Sequence, residues 1–523
     1  MVEADLYNLT NLISHLKHFR LTCGNRENYI NHQLFQLFQK FSLEIEEFNQ
    51  ISTNTDIPPK IILVESEPIT FIAGFLAAVI NNCPVFLCNP NWGNQEKQQV
   101  LNLVKPQIIW GSWEYSSKGS DSKRSKLTKL LPSNLSPIMI PTGGSSGKIK
   151  FAIHTWETLN ASVKGFIDYF GIKEVNSLCV LPLYHVSGLM QFIRCFTTGG
   201  NLIVMPFKQL ENIDFSSKNS IHYYINPCEL FLSLVPTQLQ RLLQNPNYHQ
   251  WLSHFKTILL GGAPAWEELL QKARYYNIPV APTYGMTETA SQIATLKPDD
   301  FLSNKTGCGK ILPHAQVSIN HQNGKINIRA TSLFLGYYSQ FEKDLGEPDL
   351  LDKVLDKRLN KQSLDNNILE VDDIGFLDED DYLHILGRSS DKIISGGEKV
   401  YPIEVEAAIR NTGMVKDVCV IGLKDKNWGE AVTAIITPNK LKTYLDKHKN
   451  QLVHNQLINS QLVNQLIKNL DKQLRHQLSK YKIPKHWIIV SSLPRNLQGK
   501  VNRQELNEIV NKYKLSTSRE ISR

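Results

Sequence analysis

The sequence lacks the features that mark secreted, metal-stapled or membrane-spanning proteins. Its eight cysteines are scattered through 523 residues, with Cys83 and Cys88 the nearest pair and no CxxC spacing. This pattern predicts neither a zinc site nor a disulfide framework, and reduced thiols in a cytoplasmic protein are expected. The N-terminal segment shows no cleavable signal pattern, and the longest apolar run, residues 68–80, is too short to cross a bilayer. We therefore expect no membrane insertion.

The sequence also lacks a concentrated charge of either sign. It has 57 Lys and Arg against 49 Asp and Glu, a formal net charge of +8, and no basic run interleaved with aromatic residues. A nucleic-acid partner is therefore not expected. The basic excess suits anionic small molecules, or it is simply a solvated surface. A hydrophobic content of 41% is typical of a folded protein, and the length predicts two or more domains.

The order of strand and helix patterns predicts an α/β fold. From about residue 60 to residue 283, short apolar strands alternate with helices, which favours mostly parallel, helix-covered sheets with ligands at the carboxyl ends of the strands. Short β-like pieces after Asn304 predict a small barrel-like part. We expect a large N-terminal domain over residues 1–388 and a small, mobile α+β domain over residues 389–523. The Asn/Gln-rich stretch 441–478 is predicted to be an inserted surface helix.

A glycine- and hydroxyl-rich loop at residues 141–150 carries the strongest functional signal. It reads Pro-Thr-Gly-Gly-Ser-Ser-Gly-Lys-Ile-Lys and lies between two apolar runs, so we expect strand, tight loop and strand. Glycines let backbone N–H groups converge on one point, which suits a polyphosphate. The spacing is not that of a Walker A loop. A plain Gly/Ser hairpin turn is the alternative reading. The candidate phosphate-binding residues are Thr142, Gly143, Gly144, Ser145, Ser146, Gly147, Lys148 and Lys150.

A second motif, Thr283-Tyr284-Gly285-Met286-Thr287-Glu288, follows a predicted strand. Its carboxylate suits Mg²⁺, and its hydroxyls suit a phosphate. The alternative is a simple helix N-cap formed by Thr287.

Further candidate binding residues lie at the ends of two predicted strands. His185 and Ser187 stand where a strand passes into a helix, and Gly261-Gly262 end another strand. A buried structural histidine is the alternative for His185.

Charged residues towards the C-terminus complete the set. Asp373 and Arg388 are suited to the hydroxyls of a ribose. Gly396-Gly397 allow close backbone approach to a ligand. Lys500 lies in an exposed loop, where a solvated lysine would be the ordinary reading.

Together and in this order, these motifs resemble those of the adenylate-forming superfamily, which includes acyl-CoA synthetases, nonribosomal adenylation domains and luciferases. The resemblance covers nearly all of the chain after about residue 60. Within the superfamily, the 2-succinylbenzoate–CoA ligases of menaquinone and phylloquinone synthesis are most similar. The pieces that carry this finer likeness are residues 182–188, 260–265, 284–292 and 393–402.

The resemblance implies an enzyme that uses ATP, Mg²⁺ and coenzyme A to activate a carboxylic acid. Glu288 would hold the metal, and Thr287 and the C-terminal Lys500 would be catalytic. His185 would be catalytic and, with Ser187 and Gly261, would line the acid pocket. The nucleotide and CoA would be bound by the residues of the phosphate loop and by Gly262, Thr283, Tyr284, Gly285, Asp373, Arg388, Gly396 and Gly397.

The sequence departs from the family pattern in three places. Ile149 replaces a usual proline, Gly143 replaces a common serine, and Ser390 stands at the hinge position, which usually holds Asp or Lys. Other readings also stay open: a CoA ligase for another aryl or fatty acid, an enzyme that loads a carrier protein, an ADP-forming phosphotransferase, or a non-catalytic binding protein.

Overall fold

The fold is known from a computed structural model that describes most of the chain. The described residues are 12–23, 30–51, 58–113, 136–143, 149–217, 225–338, 368–425, 427–439, 461–495, 501–502, 505–506 and 508–511.

The largest sheet has eight strands in the order β1-β8-β7-β9-β10-β11-β12-β13. Its strands are β1 (Arg20–Cys23), β7 (Asn176–Cys179), β8 (Asn201–Val204), β9 (Leu230–Leu234), β10 (Thr257–Leu260), β11 (Val280–Met286), β12 (Ser291–Thr295) and β13 (Lys310–Ile311). Neighbouring strands among the first six in this order, from β1 at the edge to β11, pair in parallel. Strands β12 and β13 then extend the sheet by antiparallel pairing. The carboxyl ends of the parallel strands therefore lie at one edge, where ligands gather in such sheets.

A second sheet has six strands in the order β16-β6-β5-β3-β2-β4. Its strands are β2 (Ile61–Val64), β3 (Val85–Leu87), β4 (Ile108–Gly111), β5 (Ile138–Gly143), β6 (Ile149–His154) and β16 (Gly336–Tyr337). Strands β2 to β5 are parallel, while β5, β6 and β16 are antiparallel neighbours. The two strands predicted to flank residues 141–150 are present as β5 and β6, which pair antiparallel and extend into the predicted loop as far as Gly143 and from Ile149 onwards.

Helices cover both sheets and fill the space between them. They are α1 (Leu12–His18), α2 (Ile30–Ile51), α3 (Pro68–Ile80), α4 (Asn94–Val104), α5 (Trp156–Phe170), α6 (Val186–Thr198), α7 (Phe207–Glu211), α8 (Pro236–Leu242), α9 (Asn247–Ser253), α10 (Glu267–Tyr275) and α11 (Pro298–Leu302). Helix α3 is apolar nearly all round, and ten of its residues are accordingly buried. It begins where Glu67 accepts hydrogen bonds from the N–H groups of Ile69 and Thr70.

Two smaller sheets follow along the chain. The first has the order β14-β15-β17-β18, and the second has β20-β19-β22-β21 with β23 beside β22. Their strands are β14 (Ala315–Ile319), β15 (Lys325–Ala330), β17 (Leu369–Leu377), β18 (Leu383–Arg388), β19 (Ile393–Ser395), β20 (Glu398–Val400), β21 (Val415–Asp425), β22 (Gly429–Pro438) and β23 (His486–Ile489). Helices α12 (Pro402–Asn411) and α13 (Gln461–Leu474) cover the last sheet. We propose a domain division at residues 388 and 389, after β18.

The predicted fold class is confirmed, with local differences. Strands β1 and β4 were not foreseen, because each is defined by parallel pairing with a strand from another part of the chain, β1 with β8 and β4 with β2. Part of the predicted 441–478 helix, residues 441–460, lies outside the described residues. In the described part, Leu470 and Leu474 are buried in the core beside β21 and β22, so this helix is amphipathic rather than wholly superficial. Within the described ranges, no helix is long and apolar enough to cross a membrane.

Candidate active site

The β5–β6 hairpin and Glu288 are in contact, although 146 residues separate Thr142 from Glu288. Both belong to the proposed N-terminal domain, residues 1–388, which we call the large lobe; residues 389–523 are the small lobe. Thr142 Oγ1 lies 3.5 Å from Glu288 Oε1, and the Tyr337 hydroxyl donates to the same oxygen at 2.6 Å. Lys150, which pairs with Thr142 across the hairpin, has its Nζ 5.3 Å from the centre of the Tyr337 ring. Burial and the neighbouring Glu288 raise the pKa of Tyr337, so its hydroxyl stays a donor. The cluster thus brings a carboxylate, hydroxyls and an ammonium together.

The turn that carries Glu288 is fixed from below by a buried histidine. Thr287–Thr289 form one 3-10 turn after β11, and His154 Nε2 lies 2.7 Å from the carbonyl oxygen of Thr287. Burial lowers the pKa of His154 to about 4. The histidine is therefore neutral at pH 7, and since a carbonyl can only accept, Nε2 carries the proton. Its Nδ1 lies 3.0 Å from the Thr158 hydroxyl, which leaves both ring nitrogens paired.

Close packing explains why the motif needs glycine at its centre. A Cβ on Gly285 would lie 2.1 Å from the carbonyl oxygen of Ser291 in the neighbouring strand. A Cβ on Gly261 would lie 2.5 Å from the hydroxyl oxygen of Thr283, and Gly262 has a φ of +79°. These glycines therefore allow the ends of β10 and β11 and the start of β12 to approach closely.

Three predicted residues form a polar cluster at the β11 and β17–β18 strands. The Tyr284 hydroxyl donates to Asp373 Oδ2 at 2.7 Å, and Arg388 Nε donates to Asp373 Oδ1 at 3.2 Å. Asp373 and Arg388 face each other directly in the β17–β18 register. Burial and the Asp373 charge raise the pKa of Tyr284. The carboxylate keeps further lone pairs, which suit the hydroxyls of a ribose.

His185 is the N-cap residue of helix α6, and its ring lies 4.7 Å from that of Tyr184. Gly188 is required there because a Cβ would lie 2.2 Å from the carbonyl oxygen of Pro182. The Ser187 carbonyl accepts from the side-chain amide of Gln191 at 2.9 Å. His185 and Ser187 are both half-buried at the entrance to this helix.

A buried polar stripe continues along helix α6, and the sequence reasoning missed it. Ser187, Gln191 and Arg194 are spaced i, i+4, i+7 and so share one face. Arg194 is 3% exposed, and its Nη2 donates to Ser291 Oγ at 3.3 Å and Gln292 Oε1 at 3.2 Å. Gln191 Oε1 and Arg194 Nε have no hydrogen-bond partner within the described residues. The signal in the sequence was a Gln and an Arg inside an otherwise apolar helix.

His314 lies beside this stripe, and its two ring nitrogens also lack hydrogen-bond partners among the residues described. Burial and the Arg194 charge lower its pKa to about 4, so it is neutral at pH 7. Burial lowers the pKa of Arg194 to about 9, which leaves the guanidinium charged. Buried polar atoms are nearly always paired, so the free donors and acceptors of this group are available to bind water or a polar ligand.

Six of the predicted residues lie outside the described part of the chain. They are Gly144, Ser145, Ser146, Gly147, Lys148 and Lys500. Gly396 and Gly397 are described, with φ values of +61° and +85° in the turn between β19 and β20. The Gly396 N–H donates to the Trp428 carbonyl at 2.8 Å.

The described residues contain no group of three or more His, Cys, Asp or Glu side chains arranged to hold a metal ion. A lone carboxylate among hydroxyls, as at Glu288, fits Mg²⁺ that arrives with a nucleotide, since Mg²⁺ is usually held by one or two carboxylates together with substrate phosphates.

Two family models and several curated relatives match this chain. Residues 60–338 match the AMP-binding enzyme family, and residues 404–500 match the AMP-binding enzyme C-terminal domain. The 2-succinylbenzoate–CoA ligase of Listeria monocytogenes is 32% identical over 461 residues, covering 86% of this chain and 88% of its own length. The ligase of the same name from Oceanobacillus iheyensis is 32% identical over 389 residues, which cover 71% of this chain and 69% of its own length.

Solved structures show the same fold. The o-succinylbenzoate CoA synthetase of Bacillus subtilis, in complex with its acyl-adenylate intermediate, has a TM-score of 0.71 at 23% identity, covering 95% of this chain and 97% of that one. ATP-bound MatB of Rhodopseudomonas palustris has a TM-score of 0.70 at 20% identity, covering 95% and 98%. From the matched ranges and the identity to these relatives, the chain belongs to the AMP-binding enzyme family.

Proposed function

We propose that this chain is an ATP-dependent 2-succinylbenzoate–CoA ligase of menaquinone or phylloquinone synthesis. The observation that carries the proposal is the meeting of the β5–β6 hairpin with Glu288, four residues along the chain from the Tyr284 that binds Asp373. In this proposal the hairpin would bind phosphate, Glu288 would hold the metal and Asp373 would bind the ribose of one nucleotide. The ligases of this name that resemble the chain support the choice of acid. A cytoplasmic enzyme is expected.

The first step would join the acid to AMP. A carboxylate oxygen attacks the α-phosphorus of ATP, and the bond to the β-phosphate oxygen breaks, so pyrophosphate leaves with its electron pair. Such a step needs alignment and charge stabilisation more than covalent help. We assign the β- and γ-phosphates to the hairpin, with Thr142 and Lys150 at its base. Glu288 would hold Mg²⁺, which neutralises phosphate charge, while Tyr337 and His154 hold Glu288 and Thr287 in place.

The nucleoside would lie against β11 and the β17–β18 strands. Asp373 would accept the ribose hydroxyls, with Arg388 and Tyr284 fixing its two oxygens. Gly261, Gly262, Thr283 and Gly285 would let the nucleotide approach the backbone closely.

The acid pocket would extend along helix α6 from His185 and Ser187 to Arg194. 2-Succinylbenzoate has two carboxylates, of which one is activated and the other must be desolvated on binding. Desolvating a carboxylate is costly unless it is paired with a cation. Arg194 is a buried cation with an unpaired Nε, and no carboxylate lies among its described hydrogen-bond partners. We assign the second carboxylate to it.

In the second step the CoA thiolate would attack the acyl carbonyl, and AMP would leave. We assign Lys500 to the first step and Gly396-Gly397 to the second, with the C-terminal domain turning between them. Lys500→Ala is therefore expected to lose acyl-adenylate formation by roughly 10²–10³-fold. Thioester formation from preformed acyl adenylate should survive in that variant. Equal loss of both half-reactions would contradict this assignment.

The function is tested by measuring AMP and pyrophosphate release with a panel of carboxylic acids, with and without CoA. We expect the highest kcat/KM with 2-succinylbenzoate, AMP rather than ADP as product, and consumption of free CoA. A higher kcat/KM with another aryl or fatty acid would overturn the choice of substrate. Adenylate formation without CoA consumption would favour an enzyme that loads a carrier protein.

A further inference from the structure

A half-buried ionic network joins Arg410, Asp417 and Arg495, the last of which lies five residues before Lys500. Arg495 donates to both oxygens of Asp417, from Nε and Nη2, each at 2.8 Å. Arg410, from helix α12, donates to Asp417 Oδ1 at 3.0 Å and to the Val418 carbonyl at 3.0 Å. Burial alone would raise the pKa of Asp417, but Arg495 and Arg410 hold it below its ordinary value. One carboxylate thus binds two guanidinium groups.

The same network reaches the chain on either side of Lys500. Arg495 and Val501 form an antiparallel bridge, and the Asn502 N–H donates to the Pro494 carbonyl at 2.8 Å. Arg495, which binds Asp417, and Val501 are therefore held side by side, next to the segment of the chain that contains Lys500. Bidentate Arg–carboxylate pairs fix orientation as well as distance.

Arg410 also reaches the large lobe. Its guanidinium carbon lies 5.0 Å from the centre of the Trp266 ring. Trp266 is the N-cap residue of helix α10 and follows the Gly261–Gly262 turn by four residues. A continuous series of contacts therefore runs from Trp266 through Arg410 and Asp417 to Arg495.

We propose that Trp266, Arg410 and Asp417 are positioning residues for the adenylate-forming step. The Arg410–Trp266 contact holds the small lobe against the large lobe. Asp417 binds both Arg410 and Arg495, and so connects this contact to the chain just before Lys500. This inference rests on the proposed function, because it assumes that Lys500 serves the first half-reaction. Loss of the contact should therefore slow that half-reaction selectively.

The test replaces Trp266 by leucine, which keeps apolar bulk against the large lobe but removes the aromatic face. A partly desolvated cation–π contact corresponds to a factor of roughly three to ten in rate. We expect acyl-adenylate formation, measured as ATP–pyrophosphate exchange, to fall by that factor. Thioester formation from added acyl adenylate should be unchanged or faster. Trp266→Phe, which restores an aromatic face, should recover most of the exchange rate.

Arg241→Met is the matched control. Arg241 also lies 5.0 Å from an aromatic ring, that of Phe207, and donates to Glu211, but all three residues lie in the large lobe. Both half-reactions should be unchanged in this control. The double variant Trp266→Leu/Arg410→Met should be no slower in exchange than Arg410→Met alone, because in this proposal Trp266 acts only through Arg410.

The outcomes separate this inference from the proposed function. A wild-type protein that activates no carboxylic acid would refute the function. A wild-type protein that is active, together with a Trp266→Leu variant that slows both half-reactions equally or neither of them, would refute the positioning role. Thermal unfolding of each variant identifies any equal loss that comes from misfolding, and Trp266→Phe then gives the deciding comparison.

Discussion

Replacing Arg194 by methionine should abolish recognition of the second substrate carboxylate while leaving the fold intact. Arg194 lies between the Phe166 ring, 4.2 Å from its guanidinium carbon, and the side chains of Ser291 and Gln292. Methionine has a similar length and no charge. If Arg194 serves the substrate, its removal should cost activity and not stability.

The size of the effect follows from the burial of the pair. Truncating one partner of a buried, hydrogen-bonded charge pair costs about 2–5 kcal/mol, much of it from the other charge left unpaired. At about 1.4 kcal/mol per tenfold change, this predicts a loss of kcat/KM for 2-succinylbenzoate of roughly 30- to 4000-fold. The analogue 4-oxo-4-phenylbutanoate keeps the succinyl carboxylate for activation but lacks the ring carboxylate, which we assign to Arg194, so it should lose little in the same variant.

Stability should move in the opposite direction. Burial lowers the pKa of Arg194 to about 9, which means that holding the cation costs several kcal/mol in the folded protein. Replacing buried ionic groups by apolar ones of similar volume is often neutral or stabilising. The hydroxyl of Ser291 lies 3.4 Å from Gln292 Oε1, and the Gln292 amide donates to the Thr295 hydroxyl, so both keep partners. The thermal midpoint of Arg194→Met should equal or exceed that of the wild type.

The assay is steady-state pyrophosphate release with both acids for the wild type, Arg194→Met and the control Arg241→Met. The ratio of kcat/KM between the two acids is the deciding quantity. Equal losses for the acid and its analogue would refute the carboxylate assignment. A marked drop in the thermal midpoint would show instead that Arg194 is a structural residue.

Three further changes test the site and its support. Tyr337→Phe removes a hydrogen-bond donor to Glu288 that is worth about 1.5–3 kcal/mol, so it should raise the KM for MgATP about tenfold or more. Magnesium titrations at fixed ATP measure this, and an unchanged KM would exclude the role. The pKa of His154, about 4, lies below its unfolded value of 6.5, so the stability that this residue contributes above pH 6.5 should be lost as the pH falls towards 4. His154→Gln should reduce this pH dependence of the free energy of unfolding, measured with denaturant. Gly285→Ala should destabilise by about 1–3 kcal/mol because its Cβ would meet the Ser291 carbonyl, which thermal unfolding would detect.

Local features of the fold could be predicted because they depend on neighbours in sequence. The β5–β6 hairpin follows from a Gly/Ser cluster between two apolar runs, and helix α12 begins at Pro402, a residue favoured in the first turn of a helix. Strand β11 runs further than expected, through Tyr284 to Met286, because β12 pairs with it beyond the point where propensity alone would end it. Tertiary pairing here outweighs local preference.

The supporting residues of the site could not be predicted because they come from distant parts of the chain. Tyr337 reaches Glu288 only because β16, two residues long, pairs with β6 at Gly336 and Tyr337. Nothing in the sequence around it marks a catalytic motif. Arg194 gave a signal that was overlooked, since a charged residue within an apolar helix is rarely buried without a partner or a purpose.

The register of the hairpin explains how the sequence can depart from the family pattern at Ile149 while Lys150 stays on the polar face beside Thr142. Ile149 pairs with Gly143, and Lys150 pairs with Thr142. Successive side chains in a strand point to opposite faces, while paired residues share a face. Lys150 and Thr142 therefore lie on the side of Glu288, whereas Ile149 packs against the apolar cluster around Val64 and Phe151. An isoleucine at that position stabilises the base of the strand and leaves the polar face unchanged, so we expect Ile149→Pro to weaken the hairpin without improving phosphate binding.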